Sequence, residues 1–376
     1  MLSKLNPNEL DRRYNALWPT EAGKERPKMS YDQSFNHYEG ICADQEFNIK
    51  YGWDAGAFRS GLAWFPNLRR VIVTSQTYGQ SYLAPRYMTP MIRSFPPGFN
   101  YTLPQPWIGP DDIRIDGTVK FIEPSFEKRA KHWHGVYVVA VSLNTRSHKV
   151  REFVVEASRQ PVGIDYALFH VPRWQLYSFM GVFKSLERLD LALNTKGASA
   201  SEWTFLRGGL LREALAEAHH LTHFSFQISP WLDLKRSFMD DKYVPLFEIF
   251  PVYCWHNLRH LSLMGLHADI DDLVLFLTGL SPRVQQVELH DFQLRRRHFD
   301  CGWVVGLMWI KLGCPRMGKK LTIGIGLWPA DRVWIRDRIQ LYFNGGVNPF
   351  ERNEDGTAVD ERTLGIVKND FDEGLE

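Results

Sequence analysis

The chain has 376 residues, of which 44% are hydrophobic, 14% aromatic and 23% charged, a balance that supports a substantial core and excludes disorder over most of the length. Its 45 basic and 43 acidic residues leave a formal net charge of +2, so electrostatics gives no reason to expect nucleic acid or an anionic membrane as the main partner. The opening MLSKLNPNELDRRYNALWP has no sustained apolar region of a secretory signal, and no run approaches the roughly 20 apolar residues of a membrane span. A cytoplasmic or nuclear location is expected. Cys42, Cys254, Cys301 and Cys314 form no Cys-x-x-Cys pair and are read as reduced core residues.

Residues 1–50 are polar, and Pro7, Pro19 and Pro27 break any long helix, so this stretch reads as a partly ordered lead-in. A helix is expected near 54–64, followed by the strand 68–74 (LRRVIVT). There Leu68, Val71 and Val73 stand at i, i+3 and i+5, the Leu-x-x-Leu-x-Leu spacing of a leucine-rich-repeat strand. Residues 75–129 form a long insertion rich in proline and aromatics. Prolines without donors cannot run as a central strand, so the insertion crosses the surface, packing its aromatics on the body or holding them as a recognition arm.

The stretch 132–144 (HWHGVYVVAVSLN) is ambiguous by periodicity, and its place before the next strand assigns it as helix. That strand, 150–156, carries Val150, Phe153 and Val155 at the same spacing. A helical stretch at 174–183 leads to 186–193, with Leu186, Leu189 and Leu191 inward and Asn194 placed to cap backbone groups between coils. Another helix at 202–220, with Trp203, Leu206, Leu210 and Leu211 along one side, hands over to the strand 221–228.

The segment 258–292 is the most regular. Leu258, Leu261 and Leu263 mark one strand, and Val284, Val287 and Leu289 mark the next. Between them Asp269 is an expected N-cap with Asp272 three residues on, and Ile270, Leu273, Val274, Leu277 and Leu280 form an apolar stripe. No single coil can bury that stripe, so neighbouring coils must stack. A last strand at 321–327 and a helix near 330–343 are expected to close the array, and the acidic tail 349–376 is expected to be disordered.

The resulting expectation is an α/β fold. It is a leucine-rich-repeat-like solenoid over 51–348, a curved parallel sheet with outer helices, degenerate repeats and one long Pro-rich insertion. Phe65-Pro66-Asn67-Leu68-Arg69-Arg70-Val71, Arg93-Ser94-Phe95-Pro96-Pro97-Gly98-Phe99-Asn100-Tyr101, the stretch 183–193, the unit 258–292 and Asn344-Gly345-Gly346-Val347-Asn348-Pro349-Phe350 make the chain resemble fungal F-box and leucine-rich-repeat proteins. In that family an amino-terminal F-box docks on the Skp adaptor of a cullin ubiquitin ligase and the repeats hold the substrate. Residues 1–60 carry no F-box-like opening, so the resemblance covers the repeat region, and a Skp–cullin partner is implied only if an F-box lies upstream.

The candidate chemistry follows from which residues face away from the core. In each repeat strand the residues alternating with the apolar ones form the concave face: Glu152 and Glu156, Arg188 and Asp190, His223, Ser225 and Gln227, His260 and Ser262, and Gln286, Glu288 and His290. A ladder of charged and hydrogen-bonding groups on a rigid sheet suits recognition of another protein, and it is equally the solvated face that any such sheet must have. The insertion adds Phe95, Phe99, Tyr101 and Trp107 as candidate contacts. His132 and His134, and the group His219, His220 and His223, invite a metal-dependent or hydrolytic alternative. No HExxH, Walker or nucleophile-elbow pattern accompanies them, so no metal, cofactor or catalytic residue is expected. A non-catalytic structural relic is the third reading. The run Arg295-Arg296-Arg297-His298 reads as a solvated connection rather than a nucleic-acid site.

Overall fold

The computed structural model describes residues 29–74, 90–99, 111–115, 118–122, 134–146, 148–156, 164–165, 169, 177, 180–194, 206, 209–229, 245–296, 299–300, 302–325 and 333–351. The chain divides into two units, residues 1–64 with 74–107 and residues 65–73 with 108–376.

The first unit holds α1 (Tyr31–Tyr51), α2 (Trp53–Trp64) and the single turn α3 (Pro90–Arg93). Helix α1 occupies what reads in the sequence as a lead-in. Its start is a reciprocal capping box: the Gln33 N–H donates to Ser30 Oγ at 3.2 Å and the Ser30 N–H donates to Gln33 Oε1 at 3.1 Å. Gly52, at φ 65°, ends it in the left-handed conformation that glycine adopts without a Cβ penalty. Phe95 and Phe99 are buried, packed edge to face on each other and against Met29, Tyr38, Ile41 and Met91.

The second unit is α/β. Its main sheet contains β1 (Arg70–Thr74), β4 (Glu152–Glu156), β5 (Ile164–Asp165), β6 (Arg188–Asn194), β7 (His223–Ser229), β8 (His260–Met264), β10 (Gln286–His290), β13 (Leu321–Ile325) and β14 (Val333–Ile335). Their spatial order is β1-β4-β6-β7-β8-β10-β13-β14, with β5 on β6. From β4 to β13 the successive pairs are parallel and keep chain order, and among the described residues the sheet does not close into a barrel. A small second sheet joins β9 (His267–Asp269), β11 (Gln293–Arg296) and β12 (Phe299–Asp300), and β2 (Asp111–Ile115) with β3 (Thr118–Ile122) forms a hairpin inside the insertion.

The connecting helices include α4 (His134–Thr145), α5 (Leu210–Ala216), α6 (Leu246–Ile249), α7 (Ile270–Gly279), α8 (Gly302–Gly313) and α9 (Asp337–Phe343). Helix α4 confirms the helical assignment of the valine-rich stretch, with Val136, Val138, Val139, Ala140 and Leu143 buried. Asp269 caps α7, accepting from the Asp271 N–H at 3.0 Å. Asp272 does not close a capping box: its carboxylate accepts the Leu246 N–H at 2.8 Å, tying α7 to α6. The Arg316 guanidinium donates to the carbonyls of Leu277, Thr278 and Leu280 at the other end of α7, satisfying acceptors the helix leaves open.

The i, i+3, i+5 spacing has a visible cause. The strands β4, β6, β7, β8 and β10 are each entered by two consecutive N–H groups donating to one carbonyl just ahead of the neighbouring strand, as in a bulge. Arg151 and Glu152 donate to Arg69, Glu187 and Arg188 to Arg151, and Thr222 and His223 to Glu187. Arg259 and His260 likewise share Thr222, and Gln285 and Gln286 share Arg259, all at 2.7 to 3.1 Å. The doubled step takes one extra residue between the first and second inward side chains. Those side chains (Leu186, Leu189 and Leu191; Leu258, Leu261 and Leu263; Val284, Val287 and Leu289) are at most 1% exposed. After β8 and β10 the chain turns at Gly265 (φ 73°) and Asp291 (φ 49°), equivalent places in consecutive coils.

Residues 333–335, expected in a helix, form β14 antiparallel to β13, and helix α9 starts only at Asp337. Valine, tryptophan and isoleucine in succession favour the half-buried sheet position they occupy. Among the described residues no helix is long and apolar enough to cross a membrane. Cys314 is buried, Cys42 and Cys254 are partly buried, and Cys301 lies outside the described residues.

Candidate functional site

The register brings the outward residues of separate strands into rows across the open face of the sheet. In the first row Glu152, Arg188, His223, His260 and Gln286 are successive partners, and in the second Asp190, Ser225, Ser262, Glu288 and Thr322 follow one another. The third row holds Ala192, Gln227, Met264, His290 and Gly324, continuing to Trp334. Parallel pairing without register slip puts residues 26 to 37 apart in the chain about 4.8 Å apart in space.

The charged side chains of the first row are paired with neighbours on the same face. Arg70 Nε lies 2.6 Å from Glu152 Oε2, and Arg188 grips Asp190 through Nε at 3.1 Å and Nη2 at 2.8 Å. Burial pushes the Asp190 carboxyl above the usual carboxylate value, with Arg188 opposing. His223 and His260 stack face to face, ring centroids 4.4 Å apart and planes 9° apart, and Thr222 Oγ1 lies 2.9 Å from His223 Nδ1. Burial, then the neighbouring His260 and Arg188 charges, push His223 down to about 4. Burial also lowers His260, while its hydrogen bond with Gln286 works the other way. Both rings are therefore neutral at pH 7, which removes the repulsion that two stacked imidazolium ions would suffer.

Toward β13 and β14 the face is covered. Glu288 is 5% exposed and accepts from Gln286 Nε2 at 2.7 Å, and His290 is 1% exposed beneath Trp334, ring centroids 5.3 Å apart. These two residues, expected among the open contacts, are buried instead, and over His290 lies the ring of Trp334 from the edge strand β14. Gly324 makes the room: a Cβ there would come 2.1 Å from His290 Cδ2. Thr322 Oγ1 is buried with no hydrogen-bond partner among the described residues.

Of the other candidates, the backbone of Glu156 ends β4, and nothing of its side chain is described. Tyr101 and Trp107 lie outside the described residues, as do His132, Arg297 and His298. Phe95 and Phe99 face into the core of the first unit, so those two rings are not presented to a partner. His219 and His220 sit in the turn before β7, while His223 points onto the open face against His260. Among the described residues no three His, Cys, Asp or Glu side chains are placed to hold one metal ion. Arg70, Thr322 and Trp334 belong to the same face and were missed by sequence reasoning. Arg70 carries the outward parity of β1, which would have found it, whereas Trp334 joins only through the antiparallel return.

Comparison of the chain with protein-family models, with curated proteins and with solved structures finds no match.

Proposed function

We propose that the second unit is a leucine-rich-repeat-like solenoid that recognises a polypeptide on the open face of its sheet, in the manner of the repeat region of F-box ligase receptors. The observation that carries this reading is the aligned polar row Glu152, Arg188, His223, His260 and Gln286, contributed by five consecutive strands. Its support is twofold: strands pair in chain order, and the helices between them pack on their successors, α5 on α6, α6 on α7 and α7 on α8. Rows of this kind on a rigid sheet offer fixed hydrogen-bonding groups with little ordering cost on binding. The pairs Arg70–Glu152 and Arg188–Asp190 hold the charged side chains in place, and Ser225 and Ser262, short side chains on adjoining strands, leave the middle of the face low.

Those serines provide the test. Replacing both with arginine, Ser225→Arg with Ser262→Arg, obstructs the face without removing the Arg70–Glu152 or Arg188–Asp190 pair. Immobilised wild type should retain a specific polypeptide that the variant loses while the variant melts as a folded protein. Equal retention by both, or retention of no polypeptide by wild type, would defeat the reading.

A further inference from the structure

A second surface lies away from the polar rows, along the edge where the parallel strands begin. The entry residues Arg151, Glu187, Thr222, Arg259 and Gln285, which carry the shared-carbonyl ladder, line it together with the turn residues just before them. The concavity is open and has a volume of about 900 Å³. Four of its side chains are basic, Arg151, Lys184, Arg259 and Arg283, and Glu187 is its single carboxylate among the described residues.

These cations are poorly neutralised from within. Arg151 meets Glu187 only at 3.9 Å, and Lys184 reaches Glu217 at 3.3 Å with its own side chain largely in solvent. Arg283 donates to the amide oxygen of Asn257 at 2.7 Å, a contact that orients the guanidinium and leaves its charge intact. Arg259 has no ion-pair partner among the described residues. Arg283 stands two residues ahead of Gln285, whose N–H donates to the Arg259 carbonyl at 2.7 Å, so the two guanidinium groups arise from adjoining coils. Like charges on neighbouring strands destabilise a sheet, and an anionic ligand would reverse the sign of that effect.

We propose that this edge groove binds an extended acidic segment of another polypeptide, with carboxylates seated on Arg151, Lys184, Arg259 and Arg283. From Arg151 to Gln285 the groove crosses four strand spacings, about 19 Å, which an extended chain covers with about six residues. Asn257 and Gln285 lie beside the cations and supply donors and acceptors for peptide groups. Single-stranded nucleic acid is the poorer fit: its grooves stack successive bases on a series of aromatic side chains, and among the described residues this groove is lined by a single aromatic ring, His220. No groove residue belongs to the open-face rows, so this proposal and the open-face reading fail separately.

The full chain would be titrated into a fluorescein-labelled peptide of about ten alternating Glu and Gly residues, followed by anisotropy, with an oligouridylate of equal length as the second probe. Wild type should bind the acidic peptide, and added salt should weaken it. Arg259→Glu with Arg283→Glu, both exposed positions, should weaken binding by about tenfold or more with an unchanged melting temperature, while Ser225→Arg with Ser262→Arg leaves it intact. The proposal is overturned by no binding of the peptide to wild type or by undiminished binding to the charge-reversed variant. Loss of binding on obstruction of the open face, or tighter binding of the oligouridylate than of the peptide, overturns it as well.

Discussion

Acidification should destabilise the second unit through the stacked pair His223 and His260. Burial, the adjacent His260 and Arg188 hold His223 at about 4 in the folded chain, Glu152 works against them, and an unfolded histidine titrates near 6.5. The unfolded chain therefore takes up the proton first as pH falls. The stability tied to this ring is complete above about pH 6.5 and is lost progressively toward pH 4. At pH 5 the linkage amounts to about 2 kcal/mol, which partial solvent access of the ring reduces to about 1 kcal/mol. His260, lowered by burial and by Arg259 and Arg188, adds in the same direction. Urea midpoints at pH 7 and pH 5 measure the loss. A His223→Gln, His260→Gln variant should lose about 1 kcal/mol less than wild type between the two values. An identical loss in both proteins would refute the reasoning, because the acid-sensitive proton would then bind elsewhere.

Two further substitutions probe how coils are joined. Trp255 is fully buried and its indole N–H donates to the Leu215 carbonyl at 3.1 Å, so Trp255→Phe should cost about 1–3 kcal/mol in chemical denaturation; no change would mean that this link between coils contributes nothing net. Gly324→Ala would thrust a methyl group against His290, which Trp334 confines. A loss of about 1–3 kcal/mol in the same assay is expected, and unaltered stability would show that the ring has room to move.

The positions and inward faces of the strands were legible because burial of a side chain is written locally. Leu258, Leu261 and Leu263, or Val284, Val287 and Leu289, must be apolar whichever coil adjoins them, so their spacing marks the strand without knowledge of its neighbours. The helix of α7 and its Asp269 cap were legible for the same reason. Helix α1 is also written locally, in the Ser30 and Gln33 capping box, although Pro7, Pro19 and Pro27 give the stretch before it the look of a lead-in.

Neighbours across coils are another matter, because they depend on the register in which coils stack. Sequence parity picks out His223 and His260 as outward residues, but only the alignment of β7 with β8 lays one ring on the other, in a setting whose burial lowers both. Glu288 and His290 share that parity and end up buried, His290 beneath Trp334, which the antiparallel return of β14 brings opposite Gly324. Arg151, Lys184, Arg259 and Arg283 come from separate coils, and none belongs to a basic run in the chain. Apolar periodicity therefore determined where each coil turns its core side, while side-by-side stacking decided which polar groups meet, because hydrophobic burial is insensitive to the identity of the neighbour and electrostatic pairing depends wholly on it.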